Sequence, residues 1–507
     1  MTQDQLDDRP CAAFRRYVPL IAWLAVILVI VIIPFKIIGM GYLPGDDALR
    51  HAAKAVSGKS WPEILVVGDA FKIDHNLGWH LLLTEIHRWT NWNAEQLVIF
   101  SVAALFIVVG LVALPWLRRP EAWLITLIAA MVISDVPQRF MLGRPFLLTF
   151  SSVLVILFAW QKQGSSAPKW WTVAWMAGLI AICSFVHGVW YLWALPVAAF
   201  FLAGQFQWGV ALGCSWIAGS FLGALLSGHP IEYLQQALEL AFRSVGMHKT
   251  PRTMVPELQP FAGNILAVIM VGCLMVLRRL SGLQTFRPWS SNPAFWLACL
   301  GWILGFKVGR FWDDWGWAGL MVLTAWDLDL FLQGRLALDS LKRLGIVCGL
   351  ALTAYLSVTS DLADRWTQNL TWTYLTQDNQ DLDGWLPDKG GILYSGEITV
   401  FDQTFFKNPT ADWKYILGFE PTFMPEEDFK VYHSILWNFG DAKAYEPWVN
   451  KMRPLDRLVI RGAGGGPPNI LQLEWKYGVS GIWIGRLPRT NSAPARPVSQ
   501  PGRSSGA

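Results

Sequence analysis

Apolar residues run along this chain in long blocks rather than in short alternations. The first block starts at Tyr17, just after Arg15-Arg16, and reaches about Met40 with Lys36 as its one interior charge. A signal-peptide core is roughly 7–15 residues long and ends at a small-residue cleavage site. This block is longer and has no such site, so it is expected to be retained as a first helix. Ten further blocks lie at about 97–117, 122–134, 146–160, 171–186, 189–203, 208–226, 262–277, 294–306, 317–332 and 346–359. A straight membrane helix needs about 20 residues. Shorter spans are tolerated beside others or facing an aqueous cavity. The pattern predicts an α-helical polytopic membrane protein with about eleven transmembrane helices in residues 1–359.

Beyond residue 359 the pattern changes. Short strand-like runs at 391–395, 457–460 and 481–484 alternate with a helix-like stretch at 426–437. Residues 360–488 are long enough for a domain of their own and read as a small α/β unit. Residues 489–507, rich in Pro, Ser, Gly and Arg, are expected to be disordered. No internal repeat of the kind that marks many transporters is visible.

Composition narrows the class. Of 507 residues, 53% are hydrophobic and only 15% charged, against about 25% charged in soluble domains. Soluble enzymes, coiled coils and disordered chains are thereby excluded. The 30 Trp residues, many at block edges, suit a membrane–water boundary. A net charge of +4 makes no case for nucleic acid. The six cysteines show neither a disulfide framework nor zinc-ligand spacing.

Lys and Arg set the expected orientation. With the N-terminus in the cytoplasm, Arg9, Arg15, Arg16, Arg118, Arg119, Lys162, Lys169, Arg278, Arg279, Arg287, Arg335, Lys342 and Arg343 all fall inside. The density there is about one basic residue in five, against about one in ten on the other side. An odd span number then places the C-terminal unit outside, together with a long first loop at 41–96 and a second at 227–261.

The outside segments hold the candidate chemistry. Asp46 and Asp47 stand together just after the first block, before a helical stretch at 48–56 that includes His51. Carboxylates can take a proton from a hydroxyl or hold a hard divalent cation; the alternative is a helix N-cap. His75 and His80 fall in an amphipathic segment suited to the interface. Asp135, Arg139 and Arg144 follow, with Arg144 opening a span, where a charge needs a partner or water. His187 occupies a tight outside turn, and Arg243 and His248 lie in the second loop. Lys307, Arg310, Asp313 and Asp314 crowd the last short outside loop, and Arg310 and Lys307 suit a phosphate. Asn369-Leu370-Thr371 is a formal glycosylation sequon.

Taken together, the Asp46-Asp47 pair after the first span, the opening from His187 to Leu195 and the stretch Arg310-Phe311-Trp312-Asp313-Asp314 resemble the GT-C membrane glycosyltransferases. Oligosaccharyltransferases, protein O-mannosyltransferases and lipid A aminoarabinose transferases are members. The tail segments Phe405-Phe406-Lys407-Asn408-Pro409 and Tyr415-Ile416-Leu417-Gly418-Phe419-Glu420-Pro421 look like the outer domain of bacterial polytopic members. The Trp-Trp-Asp signature of oligosaccharyltransferases is missing, and Asp135 is the nearest candidate for their second acidic motif.

The resemblance implies a bacterial inner-membrane enzyme with a polyprenyl-phosphate sugar as donor and a glycan, lipid or protein as acceptor. It implies Asp46 or Asp47 as base, inversion at the anomeric carbon, and arginines at the leaving phosphate. A divalent cation, Mg or Mn, would sit on Asp46 and Asp47. A transporter or flippase for a lipid-linked or anionic solute, and a non-enzymatic assembly subunit, are the competing expectations.

Overall fold

The computed structural model of the chain describes residues 14–69, 71–131, 135–245, 259–261, 263, 265–282, 286–462, 466–479 and 481–488, with 135–137 and 243–245 described by backbone alone. Each apolar block contains a helix. Helix α1 (Val18–Gly39) leads into a loop that carries α2 (Asp47–Ser57), α3 (Trp61–Ile64) and α4 (Leu77–Thr90). The chain continues through α5 (Ala94–Leu111), α6 (Pro120–Met131), the short α7 (Asp135–Phe140), α8 (Phe146–Gln163), α9 (Trp170–Val186), α10 (Ala194–Leu202) and α11 (Phe206–Leu225). After α12 (Pro230–Val245) come α13 (Ile265–Ser281), α14 (Pro293–Gly305), α15 (Trp317–Gln333) and α16 (Leu341–Thr359).

Among the described residues, five helices are long and apolar enough to cross a membrane: α1, α5 with the turn after it, α8, α11 and α16. The rest are shorter. Helix α1 shows how such a segment divides its faces. Val18, Ala22, Val26, Ile30, Ile33 and Ile37 are buried, while Leu20, Leu24 and Leu28 form an exposed apolar row. A water-facing surface would not carry such a row without a partner. Helices α9 and α11 approach closely where Gly219 and Gly223 meet α9; a Cβ on either glycine would lie 2.5 Å from a backbone oxygen, of Ala177 or Ala181. Small residues four apart permit this approach.

At the end of the bundle where α1 begins, charges are buried in closed pairs. Arg343 makes two hydrogen bonds to Glu121, at 2.7 and 2.9 Å, with both side chains fully buried. Arg278 does the same with Asp327, at 2.5 and 2.9 Å. Asp329 accepts from the Arg119 backbone N–H at 2.8 Å and from Gln333 at 2.6 Å.

The C-terminal unit is a five-stranded mixed sheet with helices. Its strands are β1 (Ile392–Ser395), β2 (Lys414–Tyr415), β3 (Arg457–Arg461), β4 (Glu474–Tyr477) and β5 (Ile482–Arg486), in the order β2-β1-β3-β5-β4. Strand β1 lies parallel to β2 and β3, while β5 runs antiparallel to β3 and β4. Its helices are α17 (Ile398–Lys407), α18 (Glu426–Trp437) and α19 (Glu446–Lys451). The strand-like runs and the helix at 426–437 thus occur where the sequence places them. The expectation of disorder at 489–507 lies outside the described residues.

Loop 41–96 packs on both the bundle and the C-terminal unit: Tyr42, Leu49, Ala52, Trp79 and Leu83 join the core of the bundle. Trp61, Ile64 and Leu65 share a hydrophobic core with Phe401, Phe405, Tyr415 and Ile484, and Val66 N–H donates to Tyr415 O at 2.9 Å. The sequon also takes a structural role: Asn369 is buried and donates from Nδ2 to Gly41 O at 2.8 Å.

Candidate functional site

Where α1 ends, the chain is pinned before it turns. Tyr42 donates to Met141 O at 3.1 Å, and its ring meets Trp366 edge-on. Asp46 then occupies the N-cap position of α2, and its carbonyl accepts from Leu49 N–H at 2.8 Å. Its carboxylate does not cap the helix. It instead accepts from Arg144 Nη2 at 2.7 Å. The N-cap alternative therefore accounts for the backbone of Asp46 but not for its side chain.

Arg144 lies just before α8 and also approaches Asp47, Nε to Oδ2 at 3.4 Å. Asp47 Oδ1 accepts from Arg50 Nε at 3.0 Å, one turn along α2. Burial by itself would raise the Asp47 carboxyl. Arg144 and Arg50 outweigh burial and hold the group far below the usual carboxylate range. Arg50 stacks over the Phe419 ring at 4.3 Å and stands 3.9 Å from Asp402 on α17. Asp402 behaves in the opposite way: burial pushes its carboxyl well up, Arg50 offsets that only in part, and Asp47 and Asp46 add to the rise. Asp402 Oδ1 and Arg50 Nη1 are both buried without a hydrogen-bond partner.

The facing wall comes from the mouths of α9 and α15. His187 follows α9 directly, and its Nε2 faces Arg310 Nη2 at 3.2 Å. Arg310 Nε donates to Asp314 Oδ2 at 2.9 Å, while Asp314 Oδ1 accepts from Arg139 Nε at 2.9 Å. Asp314 sits in a π-helical turn, Trp312–Gly316, at the head of α15; such turns recur at functional sites. Gly301 lets α14 press against that turn, since a Cβ there would lie 2.5 Å from Gly316 Cα. Burial and Arg310 together push the His187 imidazole down to about 3. Its neutral ring therefore accepts from the guanidinium.

A third side is closed by α12. Tyr233 donates to His75 O at 3.1 Å, and Gln236 Nε2 lies 3.1 Å from His75 Nε2. Burial pushes His75 down to about 4.

These walls enclose a cavity of about 500 Å³ lined by Asp46, Asp47, His51, His75, Arg144, His187 and Arg310 among others. Seven residues singled out in the sequence, spread from 46 to 310, thus meet at one place. His80 stands behind His51, with ring nitrogens 2.7 Å apart. Arg139 and Asp314 lie behind Arg310. Lys307 is exposed, and neither it nor Asp313 lines the cavity. The side chains of Asp135 and Arg243, and the whole of His248, lie outside the described residues.

Several lining residues were not among the candidate site residues, Arg50 and Asp402 among them. Arg50 had a signal, because three residues after Asp47 on a helix is the same face. Asp402 had none, being one carboxylate among many more than 350 residues from the pair.

Among the described residues, no group of three or more His, Cys, Asp or Glu stands together as a metal centre. Asp46 Oδ2 and both oxygens of Asp47 already face Arg144 and Arg50. The pair therefore fits a dication poorly. No family model matches this chain, and no curated protein is similar to it.

Proposed function

We propose that this protein is an integral membrane glycosyltransferase that moves a sugar from a polyprenyl-phosphate donor to an acceptor on the outer side of a bacterial inner membrane. The eleven apolar helices would all cross or line the bilayer, with the N-terminus in the cytoplasm and residues 360–488 outside. What carries the reading is the meeting of the acidic pair with Arg50, Arg144 and Arg310 in one cavity at the mouth of an apolar bundle. A lipid-borne phosphate sugar needs both an apolar approach and a cationic end point.

The acceptor hydroxyl would attack the anomeric carbon as the bond from that carbon to phosphate oxygen breaks, with inversion. Asp46, together with Asp47 that Arg144 and Arg50 keep ionised, orients the hydroxyl and polarises its proton. Arg310 and Arg50 stabilise the charge that grows on the departing phosphate. Preorganised electrostatics of this kind is usually the largest contribution to catalysis.

The test uses the full chain in nanodiscs with a panel of radiolabelled polyprenyl-phosphate sugars. Saturable binding with sugar release that disappears in Asp46→Asn and Asp47→Asn is the expected result. Absence of binding and release with every donor, from folded protein, would overturn it in favour of a transporter or an assembly subunit.

A further inference from the structure

Behind the cavity wall runs a chain of titratable side chains that the acidic pair does not use. Asp74 Oδ2 lies 2.5 Å from His80 Nδ1. The other nitrogen of that ring, Nε2, lies 2.7 Å from His51 Nδ1. His51 lines the cavity, and both imidazoles are buried. The order is therefore carboxylate, imidazole, imidazole, cavity.

The carboxylate fixes the protons. Asp74 backs onto the Asn76 N–H at 3.0 Å, and burial, which alone would raise its carboxyl, is outweighed by His80, so the group stays well below its ordinary value. An ionised Asp74 only accepts, so His80 must donate from Nδ1. In a neutral His80 the other nitrogen, Nε2, carries a lone pair and accepts from His51 Nδ1–H. His51 Nε2 is left as a lone pair with no hydrogen-bond partner among the described residues. This is the arrangement in which a base is oriented by a second group and that group by a third.

We propose that Asp74, His80 and His51 form a proton relay, with His51 Nε2 as the proton acceptor in the cavity and His80 and Asp74 as positioning residues. The inference rests on the transferase reading for its substrate but not for its geometry. In the reaction the acceptor oxygen bonds to the anomeric carbon and its O–H bond breaks. The phosphate leaves with the electron pair of the old bond. The hydroxyl proton goes to His51 Nε2, the Nδ1 proton of His51 passes to His80 Nε2, and His80 is left as an imidazolium against the Asp74 carboxylate. The relay resets when the proton returns from His80 Nε2 to His51 Nδ1 and the Nε2 proton of His51 leaves to water in the cavity.

Two features favour this route over a proton resting on Asp47. Asp47 is held by Arg144 and Arg50, which makes it a good electrostatic partner and a weak base. The charges that face His51 also argue for passing the proton on. Burial opposes a cation there, as do Arg50, its neighbour on α2, and a charged His80, whereas Asp47 and Asp74 favour one. At His80 the carboxylate of Asp74 is in direct contact, and the Trp61 ring covers the imidazole edge-on, its centroid at 5.6 Å. Lys54, the other charge near Asp74, further favours its ionised form.

Nitrogen-15 NMR of the full chain in nanodiscs, labelled at histidine, tests the relay without any substrate. The expected spectrum has His51 and His80 both as neutral Nδ1–H tautomers near pH 7. Asp74→Asn should release the His80 tautomer, and His51 should follow although it does not touch residue 74. An Nε2–H tautomer at His51 in the unmodified protein, or a His51 signal indifferent to Asp74→Asn, would overturn the proposal. With a polyprenyl-phosphate sugar that the protein turns over, His80→Gln should lower the single-turnover rate about 10²-fold or more, with donor binding kept and the acid limb of the pH profile moved. An unchanged rate and profile would also overturn it. If no donor is turned over while the tautomers are as expected, the transferase reading fails and the relay stands.

Discussion

The two ends of the helical bundle both bury arginines beside carboxylates, and they do so to different effect. At the end where α1 begins, Arg343 and Glu121 are fully buried, joined by two hydrogen bonds and sealed from solvent. At the opposite end, Asp46 and Asp47 are held by Arg144, yet about 28% and 31% of their side chains remain open to the cavity. The first arrangement leaves nothing for a ligand to bind. The second presents paired charges whose remaining faces point into a space of about 500 Å³. Burial of charge is therefore not itself a mark of function; the distinction lies in whether the pair is closed.

The comparison can be broken most directly at its closed end. Removing one partner of a fully buried pair leaves an uncompensated charge and typically costs about 3–5 kcal/mol. Glu121→Gln should therefore lower the unfolding midpoint strongly, measured by thermal melting in detergent, and the double replacement Glu121→Leu/Arg343→Met should recover most of the loss. Asp47→Asn should behave the other way. Transfer should fall about 10²–10³-fold while the melting curve moves little. A large melting shift for Asp47→Asn with retained transfer would erase the distinction between the two ends.

A smaller effect is expected at Arg310. Lysine keeps the charge but cannot reach Asp314 and His187 with a planar fork, so Arg310→Lys should weaken donor binding about tenfold, read by titration with a labelled polyprenyl-phosphate sugar. Smaller again is the pH dependence of the cavity region. His187 and His75 are pushed from 6.5 to about 3 and about 4, so folding favours their neutral forms. The stability they contribute is complete above about 6.5 and is lost as pH falls through that window toward 3. His187→Gln should flatten the acid side of the stability curve between those limits. Lys307→Ala should leave donor binding unchanged, because Lys307 is exposed and does not line the cavity; weaker binding there would place the phosphate outside it.

Much of this was legible in the chain. Helix positions follow from hydrophobic blocks because a segment that must satisfy its backbone without water has few alternatives to a helix. The strands at 392–395, 457–461 and 482–486 were visible as apolar runs, whereas β2, two residues long, left no pattern to read. Asp46, Asp47, Arg144, His187 and Arg310 were visible because charged and imidazole groups at the ends of apolar blocks are costly without a purpose. His51 and Asp47 lie four residues apart and so share one face of α2.

The sequence by itself determined the helical bundle, the separate character of the tail and the short list of polar residues at the bundle mouths. All of these depend on local composition and period. Only the tertiary structure decided that α17 brings Asp402 to Arg50, that the first loop shares a core with the tail, and that Asp74, His80 and His51 form one line. Those contacts join residues whose separation along the chain bears no relation to their separation in space, and close packing of the intervening elements is what fixes them.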